Sequence, residues 1–293
     1  MRLDDYRSSD NVGDQRGQRF GRGGGGGLGL IMNLVGSRFG IGGIIVVAIG
    51  AMLLGINPFG GGSSVGPGVR SSTEIGQSAA QKACAVDAAS SFSCRVLAST
   101  EDTWAKIFAE RGGTYSPAGF IFYSRAGQSG CGAAQSAMGP FYCPTDHRIY
   151  LDTSFYDELQ QRFGAAGDFA QAYVIAHEVG HHIQYLAGTL DKAGAAQSRA
   201  SSTEGNAIQV KVELQADCYA GVWGGRNRDR LEPGDIEEGL RAASAIGDDT
   251  LQKASQGRVV PESFTHGSSE QRMAWLKRGL DTADPAACDS FAG

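Results

Sequence analysis

The chain has 293 residues, of which 41% are hydrophobic, and a formal net charge of −5. That is enough apolar material for the core of one large domain or two small ones. The charge argues against a nucleic-acid binder, which would normally show a basic stripe, so no nucleic-acid partner is expected.

Residues 1–38 are polar, dotted with arginine and then glycine-rich (RGGGGGLG). They bury too little apolar surface to fold alone and read as a disordered cytoplasmic tail. Residues 39–56, FGIGGIIVVAIGAMLLGI, carry no charge. A run of this kind, close to the roughly 20 residues a membrane helix needs, reads as a single transmembrane anchor. Arg2, Arg7, Arg16, Arg19, Arg22 and Arg38 precede it, whereas Arg70 alone follows closely. The positive-inside rule therefore keeps the N-terminus in the cytoplasm and exports the rest, to the periplasm or the cell exterior. Residues 57–72 (NPFGGGSSVGPG and the following residues) form a flexible linker. The six cysteines, Cys84, Cys94, Cys131, Cys143, Cys218 and Cys288, all fall on the exported side. An even count in an oxidising compartment suggests disulfides. The simplest pairing joins the local partners Cys84–Cys94 and Cys131–Cys143 and leaves Cys218 for Cys288.

Residues 73–293 read as one α+β domain, mostly helical with a small sheet. Helical periodicity covers Thr73 to Ala109, with Trp104, Ile107 and Phe108 on one side. FIFYS and HRIYLD are strand-like, being rich in aromatic and β-branched residues. Helix resumes at Ser154 and runs to about Gly279, interrupted by loops at 188–203, 224–233 and 255–268. Within it, Asp168 reads as an N-cap with Gln171 as its capping partner, and Gly188 as the C′ residue. A single helix over 169–187 follows.

That helix contains HEVGHHIQ. Positions i and i+4 share a helix face, so His177 and His181 can present ring nitrogens to one ion. Glu178 lies beside them. This is H-E-x-x-H, in which two histidines hold Zn and the Glu serves as general base. His182 is turned about 100° from His181 and reads as a bystander. His147 reads as a loop or strand-edge residue without a role.

A catalytic zinc takes three protein ligands and keeps a fourth position open. In IQVKVELQADCYAGVW, Glu213 and Asp217 again stand at i and i+4 on a stripe of small residues. Buried carboxylates are costly unless paired or metal-bound. Glu213 fits as third ligand and Asp217 as the acceptor that orients a liganding histidine. The exchanged roles remain open, as does a solvated acidic face. Near the end, in SFTHGSSEQRMAWLKRGL, His266 and Arg272 flank a helix start at Ser268 or Ser269. They read either as oxyanion donors or as a loop residue and a surface residue beside a capping serine.

Four blocks in order carry a resemblance. They are GCGAAQSAMGPFYCPTDHRIYLD (Gly130 to Asp152), FGAAGDFAQAYVIAHEVGHHIQ (Phe163 to Gln184), VELQADCYAGVW (Val212 to Trp223) and HGSSEQR (His266 to Arg272). The chain resembles the bacterial neutral zinc metallopeptidases, a membrane-anchored zincin family, from about residue 73 to its end. The wider gluzincin pattern implies His177, His181 and Glu213 as zinc ligands, Glu178 as base and Asp217 as orienter. It also implies that His266 and Arg272 face the site, although this chain has His266–Gly267 where those relatives show His-Pro. The resemblance implies a zincin-like fold, a zinc cofactor, a protein or peptide substrate, and HRIYLD as the substrate-pairing strand. Two other readings stay open. One is a membrane-tethered, zinc-stabilised binding or scaffold protein without turnover, its fourth zinc position filled by Cys218 or His266. The other is a cell-wall peptide amidase.

Overall fold

The computed structural model describes residues 1–18, 73–162 and 164–292. Its larger sheet contains β1 (Val12–Asp14), β2 (Gly119–Phe122), β5 (Phe141–Cys143) and β6 (Arg148–Leu151), in the order β1-β2-β6-β5. β1 and β6 run parallel to β2, and β5 runs antiparallel to β6. A hairpin of β3 (Ala126–Ser129) and β4 (Gly132–Gln135) stands apart. The sheet is apolar on both faces, as its alternating residues require. Phe120, Phe122, Ile149 and Leu151 join the main core, while Ile121, Tyr123 and Tyr150 close a smaller one on the other side.

The helices are α1 (Gln77–Cys84), α2 (Ala88–Glu110), α3 (Ser154–Gln161), α4 (Asp168–Leu186) and α5 (Thr189–Gln197). They are followed by α6 (Ser202–Arg226), α7 (Asp235–Ala245), α8 (Asp248–Gln256) and α9 (Ser269–Thr282). The helix expected over Thr73 to Ala109 is therefore two helices. Asp87 breaks the run by capping α2, its side chain accepting from the Ser90 backbone N–H. The loop expected at 188–203 holds α5, a mostly exposed helix whose apolar signal is weak. α4 begins at Asp168 itself, with Gly167 in the cap position and no side-chain cap bond. Gly188 is left-handed, φ 70°, as its C′ role demands.

α6 is the hub, packing against α9, α4 and α5. Glycines permit the close crossings. A Cβ on Gly180 of α4 would lie 2.9 Å from the Ala216 carbonyl oxygen of α6, and one on Gly279 of α9 would lie 2.0 Å from that of Cys218. The disulfides are Cys84–Cys94, Cys131–Cys143 and Cys218–Cys288, the simplest pairing. The last ties α6 to a 3-10 turn, Pro285–Cys288.

Two expectations need correction. Residues 1–18 are no disordered tail. β1 extends the sheet, Leu3 and Val12 are buried, and Ser9 and Asn11 bond the buried Glu101. The Met1 ammonium sits among Asp168, Glu232 and Asp235 at 2.7–3.1 Å. Nor is the domain simply preceded by a transmembrane helix. No helix among the described residues is long and apolar enough to cross a membrane. The proposed span 39–56, and the linker 57–72, lie outside the described residues. What comes before them belongs to the domain.

Candidate metal centre

α4 and α6 lie close enough for the two i, i+4 pairs to face each other. His177 Nε2 lies 3.2 Å from Glu213 Oε2, and His181 Nε2 lies 3.7 Å from the same oxygen. Two ligands about 2.0 Å from an ion at the tetrahedral angle stand about 3.3 Å apart, so the trio has the spacing a zinc ion requires. His177, His181 and Glu213 form one of two groups of possible ligands among the described residues. The other, Asp168, Asp235 and Glu238, contains two of the carboxylates that hold the Met1 ammonium.

Each of the three has its own supporting contact. Asp217 Oδ1 accepts from His177 Nδ1 at 2.8 Å. Gln184 Oε1 lies 2.9 Å from His181 Nδ1. Gln209 Nε2 donates to Glu213 Oε1 at 3.0 Å. Asp217 is fully buried, and its oxygens also accept from Tyr173 Oη and from Nε and Nη2 of Arg272. Those bonds occupy Asp217 with neighbours on its own side, whereas Glu213 points between the histidines. The geometry thus favours Glu213 as ligand and Asp217 as orienter over the exchanged roles left open above.

Electrostatics match this arrangement. Burial opposes the charged form of each group, and close opposite charges overcome it. His177 is pushed up to about 10, chiefly by Asp217 and then Glu213. His181 is raised mainly by Glu213. Glu213 is held well below the usual carboxylate range by His181 and His177, and Asp217 is lowered by Arg272 and His177. The negative charge gathered on Glu213 and Asp217 favours positive charge between them, which a cation bound at the trio would supply.

A cavity of roughly 380 Å³ opens over the trio. Glu178, His266 and Arg272 line it with the ligands, and Val174, Leu190, Ala193, Val212 and Leu251 supply apolar wall. Glu178 accepts no hydrogen bond among the described residues, which leaves its carboxylate free. His266 belongs to a loop wrapped around Asp248. Asp248 Oδ2 accepts from the backbone N–H groups of Thr265, His266 and Gly267 at 2.6–3.0 Å, and Oδ1 lies 3.3 Å from His266 Nδ1. Burial lowers the His266 pKa, but Asp248 and Glu213 raise it overall. Gly267 is left-handed, φ 88°, a conformation a proline could not adopt. Ser268 caps α9 through a capping box with Gln271.

Arg272 is no surface residue. It is 2% exposed, and its guanidinium is bound to Asp217, Tyr173 and the Ile246 carbonyl. Its charge is committed to Asp217 rather than to the cavity. His182, read as a bystander, bridges α4 to the sheet, with Nε2 2.7 Å from the Ser116 carbonyl oxygen and Nδ1 3.0 Å from Tyr142 Oη. His147 lies in a turn with its ring against Tyr185. HRIYLD cannot be the pairing strand, because β6 is flanked by β2 and β5. The free edge beside the cavity belongs to β5, which pairs with no other strand among the described residues.

Comparison with known proteins identifies the family. A family model described as "putative neutral zinc metallopeptidase" matches residues 1–291. The chain belongs to this neutral zinc metallopeptidase family. The match includes the N-terminal strand as well as the metal centre. The sequence is 55% identical over 207 residues to the uncharacterized protein YpfJ of Escherichia coli K12, covering 70% of this chain and 72% of that protein. It is 40% identical over 258 residues to the uncharacterized protein Rv2575 of Mycobacterium tuberculosis H37Rv, covering 83% and 85%. No solved structure matches.

Proposed function

We propose that the protein is a zinc-dependent peptidase that cleaves peptide bonds of proteins or peptides on the extracytoplasmic side. The observation that carries this reading is the convergence of His177, His181 and Glu213 beside the unengaged Glu178 in one cavity. A bound Zn²⁺ would lower the pKa of water toward neutrality and polarise the scissile carbonyl.

The chain's own groups supply the rest. Glu178 takes the proton of the attacking water and returns it to the leaving amine. His266, held by Asp248, whose carboxylate favours the protonated ring, donates to the oxyanion. Arg272 keeps Asp217 ionised, and Asp217 holds His177. The substrate backbone adds to the open edge of β5, and the apolar wall of the cavity takes its side chains. A scaffold with a closed zinc site gains little support, because Cys218 is bonded to Cys288 and is not available as a ligand. The three disulfides support an oxidising compartment.

The test uses the full chain, loaded with zinc, on unfolded casein. Cleavage should be abolished by chelation and fall about 10²–10⁴-fold in Glu178→Gln at equal zinc content. Undiminished turnover in that variant would falsify the assignment of the base.

A further inference from the structure

His181 differs from the other histidine ligand in what holds it. His177 is backed by a carboxylate that also neutralises Arg272. His181 is backed by an amide, Gln184, one turn further along α4 and fully buried.

The orientation of that amide follows from its other partners. Gln184 Nε2 lies 2.7 Å from the Val212 carbonyl oxygen and 3.1 Å from Gln215 Oε1. A carbonyl oxygen only accepts, so the Gln184 NH₂ must face Val212, and Oε1 must face His181. Gln215 is fixed in the same way, because its Nε2 donates to the Cys288 carbonyl at 2.9 Å. Its Oε1 therefore turns toward Gln184. With an acceptor 2.9 Å away, His181 Nδ1 carries the hydrogen. Nε2 then keeps its lone pair, and Nε2 is the atom facing Glu213.

We infer that Gln184 is a positioning residue that selects the metal-binding tautomer of His181, with Gln215 and the Cys288 carbonyl as its distal anchor. The Cys218–Cys288 disulfide holds that carbonyl against α6, one residue from Asp217. The far end of the chain is thus connected to the metal centre by three consecutive hydrogen bonds. Neither Gln184 nor Gln215 touches substrate or ion in this arrangement. The inference rests on the zinc-site reading above.

The test titrates the metal-free full chain with Zn²⁺ against a competing chelator and follows its thermal unfolding without metal. Replacing an orienting partner of a metal ligand weakens affinity about 10–100-fold. Gln184→Leu should show that loss with the chain still folded. Gln215→Leu should show a smaller loss at an unchanged metal-free melting temperature, and the double variant should bind like Gln184→Leu alone. Cobalt-substituted Gln184→Leu should also have a shifted visible spectrum.

Wild-type affinity in a folded Gln184→Leu, or independent additive losses in the double variant, would overturn the inference. If Gln184→Leu fails to fold, Gln215→Leu decides: weakened binding supports the relay and undiminished binding refutes it. Zinc binding by the wild type without cleavage of any protein would sink the peptidase reading and leave the relay standing. Normal cleavage with Gln184 dispensable for affinity would do the reverse.

Discussion

Asp217→Asn should separate the structural and metal-orienting duties of one buried carboxylate. Asp217 is 0% exposed and accepts four hydrogen bonds, from Tyr173 (2.6 Å), His177 (2.8 Å) and twice from Arg272 (2.9 Å each). The asparagine keeps the shape but loses the charge, and its NH₂ must meet either the His177 N–H or the guanidinium, donor against donor. Leaving the buried Arg272 uncompensated costs about 3–5 kcal/mol. At about 2–4 °C per kcal/mol for a domain of this size, the metal-free protein should melt roughly 6–20 °C lower. Zinc affinity should fall about 10–100-fold as His177 loses its anionic acceptor.

A companion variant, Asp217→Leu with Arg272→Met and Tyr173→Phe, removes the whole polar cluster at once. Apolar replacement of a buried ion pair is often neutral or stabilising, so melting should recover while zinc affinity stays low. Scanning calorimetry of the metal-free forms and chelator competition read the two effects separately. An Asp217→Asn protein that melts with the wild type would refute the buried ion-pair argument. Full zinc affinity in the apolar variant would refute the orienting role.

Other expectations follow from the same contacts. Glu213→Ala should abolish stoichiometric zinc binding in metal analysis, and full retention would return the ligand role to Asp217. Leu3→Ala should cost about 2–5 kcal/mol in denaturant unfolding, because the side chain is 1% exposed, whereas a disordered tail would make it neutral. The His182 pKa is lowered, mainly by burial, so this ring folds neutral. Its contribution to stability is present above the unfolded value of about 6.5 and is lost as pH falls through the lower folded value. A His182→Gln variant should therefore show a shallower decline in melting temperature on acidification. Cysteines introduced at Ser8 and Thr203, both exposed, should react alike with a membrane-impermeant reagent in intact cells. Opposite reactivity would refute co-folding of the N-terminal strand with the domain.

The candidate metal-binding trio was largely legible because much of its geometry is local. Each pair spans one helical turn, so the sequence placed the side chains on a face before any tertiary contact was known. The choice between Glu213 and Asp217 was not legible, since it depends on Arg272, 55 residues further along. HRIYLD reads as a free edge for a similar reason. HRIYLD has the stronger strand composition, but whether a strand is internal or at an edge depends on partners distant in sequence. The short FYC segment at the edge carries little signal of its own. His182 looks idle from its offset to His181 alone. Its bonds to Ser116 and Tyr142 reach two other parts of the chain. Gln184 did offer a signal, as an amide at i+3 from His181.

The N-terminal segment is where local reading and fold disagree most. Its arginines were counted as topology signals, and the sheet gives two of them other work. Arg7 pairs with Glu101 and Asp102, and Arg16 binds Asp14, Ser90 and the Ala83 carbonyl while stacking on Phe122. Gln15 grips the Gln128 backbone through both amide groups and also donates to Thr73. The two flanks of residues 19–72 therefore meet at one place on the domain. A chain that crossed a bilayer once between those flanks would leave β1 and β2 on opposite sides, and their pairing from Val12–Phe120 to Asp14–Phe122 could not form. The β1–β2 pairing therefore argues for one compartment for residues 1–18 and 73–292, which the labelling experiment tests.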